Sequence, residues 1–180
     1  QRIVLVIDNS VSMNTSDPEY NRIEMAKCIL GQRNSSVDKI GLLVTNGNSA
    51  PTIKVDLTDN FTEINNSLND IFNMSPHIGV WIDSDLKSAI NILNYSDELD
   101  SNRNKSKNII IFSDGGAGDE FRRDYRPYTK QLGDIKIHAI GFGDSPKHIK
   151  GLEKMFNDTG GEFSYWSINI NKTANISSGK

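Results

Sequence analysis

Apolar runs bounded by turn residues alternate with helically spaced apolar positions along the chain. Arg2–Ile7 carries an unbroken apolar stretch from Ile3 to Ile7, the pattern of a strand buried on both faces of a sheet. Residues 19–30 then place Ile23, Ala26, Cys28, Ile29 and Leu30 near helical spacing, with Gly31 to end the helix. Residues 39–45 form a second apolar run, and Asn46-Gly47-Asn48 is a turn signal. Alternation of Ile53, Val55 and Leu57 over 52–57 predicts a hairpin with an antiparallel edge strand. Phe61, Ile64, Leu68, Ile71 and Phe72 make a helical stripe that Thr62 or Asp59 could cap.

The second half repeats the alternation. A helix is expected over 83–93, with Leu86, Ala89, Ile90 and Leu93 on one face. A polar loop over 96–107 leads to a buried strand over 108–112. Strands follow at 136–141 and 162–166, with helices expected over 125–132 and 147–156. This order implies right-handed crossovers and an α/β fold: an open, doubly wound, mostly parallel, Rossmann-like sheet with one antiparallel edge strand and helices on both faces. We read residues 1–168 as one domain and 169–180 as a polar, partly disordered tail.

Composition narrows the function classes. Apolar residues make up 36% of the 180 residues and charged residues 24%, as in a globular chain long enough to bury a core. A net charge of -3 and scattered cations give no electrostatic case for nucleic acid, and no apolar run approaches the length needed to insert in a membrane. The chain opens directly on a strand, which suggests a segment of something longer and leaves targeting open. Sequons such as Asn60-Phe61-Thr62 arise readily in so Asn- and Ser-rich a sequence, and do not establish secretion. A single cysteine, Cys28, excludes an internal disulfide framework, and its position beside Ala26 reads as a buried structural thiol.

In an open parallel sheet, ligands bind beyond the carboxyl ends of the strands. Two sharp signals fall there: Asp8-Asn9-Ser10-Val11-Ser12 after the first strand, and Ser113-Asp114-Gly115-Gly116 after the strand ending at Phe112. Two carboxylates and two hydroxyls converging on one crevice form a hard-oxygen cage suited to Mg²⁺ or Mn²⁺. Taken singly, Ser and Asp at such junctions are ordinary turn and cap residues. The combination is what points to a metal.

A hydrophobic strand followed by Asp-x-Ser-x-Ser, with a later strand closing on Ser-Asp-Gly, resembles the metal-ion-dependent adhesion site of von Willebrand factor A domains. Ile137-His138-Ala139-Ile140-Gly141-Phe142-Gly143 is similar to the family's next strand and its glycine turn, and Thr159-Gly160-Gly161-Glu162-Phe163 resembles the turn before its last strand. The resemblance implies that Ser10 and Ser12 contact an ion (Mg²⁺, or Mn²⁺ or Ca²⁺) through their hydroxyls. It implies that Asp8 and Asp114 supply charge directly or through water. It further implies a non-catalytic adhesion or protein-interaction module, whose protein partner contributes an acidic group to the ion. An extracellular or cell-surface setting is favoured over a cytoplasmic one.

One position departs from the family. Val80 stands where a threonine ligand is normally supplied, and valine offers no oxygen. Asp83 and Asp85 lie close by and could substitute, although near a helix start Asp ordinarily caps backbone N–H groups. Trp81 shares that loop, as a packing residue or a binding anchor at the rim. The run 119–126 is a solvated face beside the same site. A degenerate domain binding its partner without metal is therefore the alternative.

Other chemistries fit less well. A Mg²⁺-dependent phosphatase of the haloacid dehalogenase type also has an Asp closing its first strand, but needs a second Asp two residues on, where Ser10 stands. His77, His138 and His148 lack metal spacing for zinc, and His138 reads as packed or hydrogen-bonded within a strand. Gly141-Phe142-Gly143 lacks the third glycine of a dinucleotide fingerprint.

Overall fold

The structure is a computed structural model that describes residues 1–47, 50–78, 82–99, 105–115, 132–143, 157 and 159–166. Apart from Leu132, the helix expected over 125–132 lies outside these residues, as do the run 119–126, the helix expected over 147–156 and the tail 169–180.

All six residues of β1 (Arg2–Ile7) are buried, because the strand has a neighbour on each side and helices over both faces. It pairs in parallel with β2 (Lys39–Val44) and β4 (Lys107–Ser113), in registers that set Ile7 beside Val44 and Phe112. β3 (Thr52–Thr58) runs antiparallel to β2 at the edge, with irregular register between Ile40 and Leu43. On the other side β5 (Lys136–Phe142) and β6 (Phe163–Trp166) continue the sheet in parallel. The order is β3-β2-β1-β4-β5-β6, the mostly parallel sheet with one antiparallel edge that the hydrophobic pattern predicts.

Period-2 alternation divides β1 between two cores. Ile3, Leu5 and Ile7 join Ile23, Ala26 and Leu30 of α2 (Asn21–Gly31) and Ile64 and Leu68 of α3 (Phe61–Asp70). Val4 and Val6 face Leu86, Ala89, Ile90 and Leu93 of α4 (Ile82–Leu99), together with Leu132. Chain direction reverses about the sheet's centre: β1 leads outward to β2, and β4 begins the second half on β1's other edge. The crevice between the carboxyl ends of β1 and β4 is thus the switch point where open α/β sheets bind ligands.

Several local expectations need correction. Cys28 is exposed, since Ile23, Ala26 and Leu30 occupy the core-facing positions of α2 and residue 28 falls on the opposite side. The N-terminal cap of α3 is neither Thr62 nor Asp59 but Asn60, whose side-chain oxygen accepts the Glu63 N–H at 3.3 Å. A single-turn helix, α1 (Met13–Ser16), follows the β1 loop without a periodic signal, and buries Met13 completely. His138 lies within β5 and is hydrogen-bonded there, as expected: Nε2 lies 3.1 Å from Asn108 Oδ1, and Nδ1 accepts the Glu162 N–H. Burial holds its imidazole below the usual pKa, more than the nearby Glu162 carboxylate raises it. Among the described residues, no helix is long and apolar enough to cross a membrane.

Candidate metal centre

Asp8 continues β1 by one residue, its N–H donating to the Phe112 carbonyl of β4 at 2.9 Å. Both of its carboxylate oxygens are engaged. Oδ1 accepts the Ser10 N–H at 2.8 Å, which curls the following loop back over the strand end, and Oδ2 accepts the hydroxyl of Ser113. The curl brings Ser10 Oγ and Ser12 Oγ to 2.9 Å from each other. Ser12 then starts α1, and Ser16 at its far end donates its hydroxyl to Asp114 Oδ2 at 2.8 Å.

Asp8, Ser10 and Asp114 are buried at the crevice, and Ser12 is half-buried. Gly115 takes φ 66° directly after Asp114, and its N–H donates to Ser113 Oγ at 3.0 Å. Ser113 therefore accepts from the turn while donating to Asp8. Gly143, after β5, has φ 87° and sits where a Cβ would stand 3.0 Å from Ser16 Oγ. A side chain there would press on the hydroxyl that holds Asp114.

A second strap fixes the loop from the other side. His77 donates its N–H to the Asn9 carbonyl at 3.1 Å, and its own carbonyl accepts the Val11 N–H at 2.9 Å, so His77 pairs with Ser10 as an isolated parallel bridge. Asn9 reaches the same segment through Nδ2 to the Ser75 carbonyl. Its N–H donates to Thr45 Oγ1, which in turn lies 2.8 Å from His77 Nε2. Thr45 and His77 carry no sequence signal for this role, because each meets the loop across more than thirty residues of chain.

Charge accumulates here. Burial pushes the Asp8 carboxyl upward, the negative charge of Asp114 adds to the rise, and the hydrogen bonds from Ser113 and Ser10 partly offset it. Asp85, in the first turn of α4, is pushed up to about 7 by burial and then by the charge of Asp8. Its Oδ2 is buried without a hydrogen-bond partner, so that oxygen caps nothing. Asp83 lies in the same turn, whereas Val80 and Trp81 fall outside the described residues.

Two carboxylates and two hydroxyls make an all-oxygen donor set that suits a hard divalent cation and not zinc. Among the described residues, no three His, Cys, Asp or Glu side chains group closely enough to hold an ion by themselves. A cation held by these four residues would therefore need the serine hydroxyls as well as the carboxylates.

Comparison with known proteins bears on the fold. The chain aligns over 92% of its length with the conserved hypothetical protein BatB from Bacteroides thetaiotaomicron, covering 90% of that chain at 14% identity and a TM-score of 0.69. The SpRpn10 VWA domain is similar over 93% of this chain and 88% of its own, at 14% identity and a TM-score of 0.67. The manganese-loaded TRAP protein of Plasmodium vivax matches over 92% of this chain and 68% of its own, again at 14% identity, with a TM-score of 0.66. No curated protein matches the chain in sequence. The sequence profile of the von Willebrand factor type A domain, however, matches residues 3–117, well over half of the chain. The chain belongs to the von Willebrand factor type A domain family.

Proposed function

We propose that this chain is a non-catalytic interaction domain that engages a protein partner through a divalent cation, with Asp8, Ser10, Ser12 and Asp114 as its metal-binding residues. The observation that carries this reading is the meeting of the Ser10–Ser12 hydroxyl pair, 2.9 Å apart, with two buried carboxylates at the switch point of the sheet. Mg²⁺, Mn²⁺ and Ca²⁺ all suit such donors. The manganese bound by the Plasmodium vivax relative supports a cation of this class.

When bound, the ion supplies positive charge at an otherwise anionic crevice, and a carboxylate from the partner can complete its coordination. Ser113 and Ser16 orient the two aspartates, while the strap through His77 holds the serine loop. Val11 and Ile78, 49% and 86% exposed, provide apolar surface on the loop and its strap for the partner to cover. Catalysis of the phosphatase type is disfavoured because Asp8 is 1% exposed with both oxygens hydrogen-bonded, and Ser10 replaces the acid/base.

Titration calorimetry with Mn²⁺ alone tests the reading. Saturable binding by the wild-type chain and its loss in Asp114→Ala are expected; unchanged affinity in that variant would sink the proposal. A second reading, a domain that binds its partner by surface contacts without metal, is favoured by the missing oxygen at Val80. A folded wild-type chain giving no heat with millimolar Mg²⁺, Mn²⁺ or Ca²⁺ would establish it in place of the first.

A further inference from the structure

β6 is a four-residue strand at the sheet's edge, and among the described strands it pairs only with β5. The turn that delivers it is pressed against the start of β5. Thr159 Oγ1 accepts the Ile137 N–H at 3.4 Å, and a Cβ on Gly161 would collide with the Ile137 carbonyl oxygen. Glu162 then makes two closing bonds: its carbonyl accepts the Ala139 N–H at 3.1 Å, and its N–H donates to His138 Nδ1 at 3.1 Å. Strand pairing proper starts one residue later, at Ala139 and Phe163.

A backbone N–H can only donate, so Nδ1 must be the bare nitrogen of the ring. The neutral imidazole then carries its proton on Nε2, which faces Asn108 Oδ1 on β4 at 3.1 Å. One neutral tautomer satisfies both neighbours. A second proton has only Nδ1 to occupy, where it would meet the Glu162 N–H head-on. The imidazolium and that hydrogen bond exclude each other.

The half-buried ring lines an open cleft of about 320 Å³ between β4, β5, β6 and the end of α2, which gives protons a route to it. Burial opposes a charge on the ring most; the exposed Glu162 carboxylate favours one, and Lys136 on β5 opposes it. Arg33, beyond α2, lines the same cleft, as does Gln1, whose amino group is held by Asp38. Lys107, beside Asn108 on β4, lies on the opposite face by strand alternation, 3.9 Å from Asp134.

We infer that His138 is a proton-operated latch on the edge strand: neutral, it holds Glu162 and the start of β6, and doubly protonated, it releases them. The folded state lowers the imidazole pKa from its usual value of about 6.5. The latch is therefore closed above that pH and opens as pH falls through the folded-state value. It is independent of the cation reading.

NMR of the ¹⁵N-labelled chain between pH 7.5 and 5 tests it locally. Global unfolding would not isolate it, because Asp8 and Asp85 shift stability with pH in the other direction. At pH 7.5 the ring should show Nδ1 bare and Nε2 protonated. As the ring titrates, exchange protection of the Glu162 and Ala139 amides should fall at least about tenfold while β1 keeps its own. His138→Asn, whose Oδ1 can stand in for Nδ1 but gains no proton, should show no such fall. A proton on Nδ1 at pH 7.5 overturns the inference, and so does full protection with the ring doubly protonated. A ring that stays neutral to pH 5, or an equal loss of protection in His138→Asn, overturns it as well. The tautomer and the titration are read on the wild type, so they decide the matter even where the variant does not fold.

Discussion

Ser113, the last residue of β4, donates its hydroxyl hydrogen to Asp8 Oδ2 and so ties the end of β4 to the residue just beyond β1. The two lie 105 positions apart in sequence but beside each other in the sheet, where Ile7 pairs with Phe112. This bond is the largest of the effects that favour the ionised form of Asp8 against its burial. Ser113→Ala should therefore raise the Asp8 pKa further and destabilise the domain by about 1–3 kcal/mol at neutral pH. Urea unfolding at pH 7.5 checks it, and a change within about 0.3 kcal/mol would mean that the bond contributes little.

Stability in the absence of divalent cations should fall as pH rises from about 4 to about 7. Asp85 has a folded-state pKa near 7, above the roughly 3.9 of an unfolded aspartate. Between those values the folded state holds the proton that the unfolded state has released, so raising pH favours unfolding. Asp8 is shifted in the same direction and adds to the slope. Denaturation in chelator across that range should show the decline, about 2–4 kcal/mol, and Asp85→Asn should flatten most of it. A pH-independent wild type would show that neither carboxyl is perturbed as its burial implies.

The sheet was legible because its strands are short β-branched runs, and the hairpin because Ile53, Val55 and Leu57 alternate. Asp8, Ser10, Ser12 and Asp114 were legible as a pattern at strand ends, and the structure brings the loop and the strand end to one crevice. What escaped was whatever depends on contacts between distant segments. Periodicity places Cys28 near Ala26 but does not say which side of α2 meets the sheet. Asp85 looks like a helix-start aspartate until its burial and its missing partner are seen. Ser16, which orients Asp114, reads only as a polar loop residue, and Ser113 belongs to the strand-end motif without any sign that its hydroxyl holds Asp8.

Ser16→Ala isolates that orienting role. The hydroxyl is partly exposed and its loss opens no core cavity, so unfolding should change by no more than about 1 kcal/mol. Asp114 would lose the donor that fixes Oδ2, and Mn²⁺ affinity should drop on the order of tenfold, as when a ligand's outer-shell partner is removed. Calorimetry on the folded variant separates the two effects. Unchanged affinity would show that Asp114 is held well enough by its remaining contacts.

The pair Asp17–Arg22 makes a prediction about how α2 is anchored beside the site. Both side chains are at most 2% exposed, and Arg22 Nη1 stands 2.9 Å from Asp17 Oδ2. Asp17 also accepts the N–H groups of Asn21 and Arg22, at 2.7 and 3.0 Å, so one carboxylate satisfies the first turn of the helix. The guanidinium covers the ring of Tyr20, 4.6 Å from its centroid, and Tyr20 itself is held at φ 56°, a left-handed conformation uncommon for a tyrosine. Removing one partner leaves the other charge buried and unpaired, so Arg22→Met should cost about 3–5 kcal/mol. Asp17→Leu should cost at least as much, because two helix-start N–H groups lose their acceptor as well. The double variant should lose clearly less than the sum, since neither charge is then stranded. Urea unfolding of the four chains measures the coupling, and strict additivity would show that the pair acts as two independent residues.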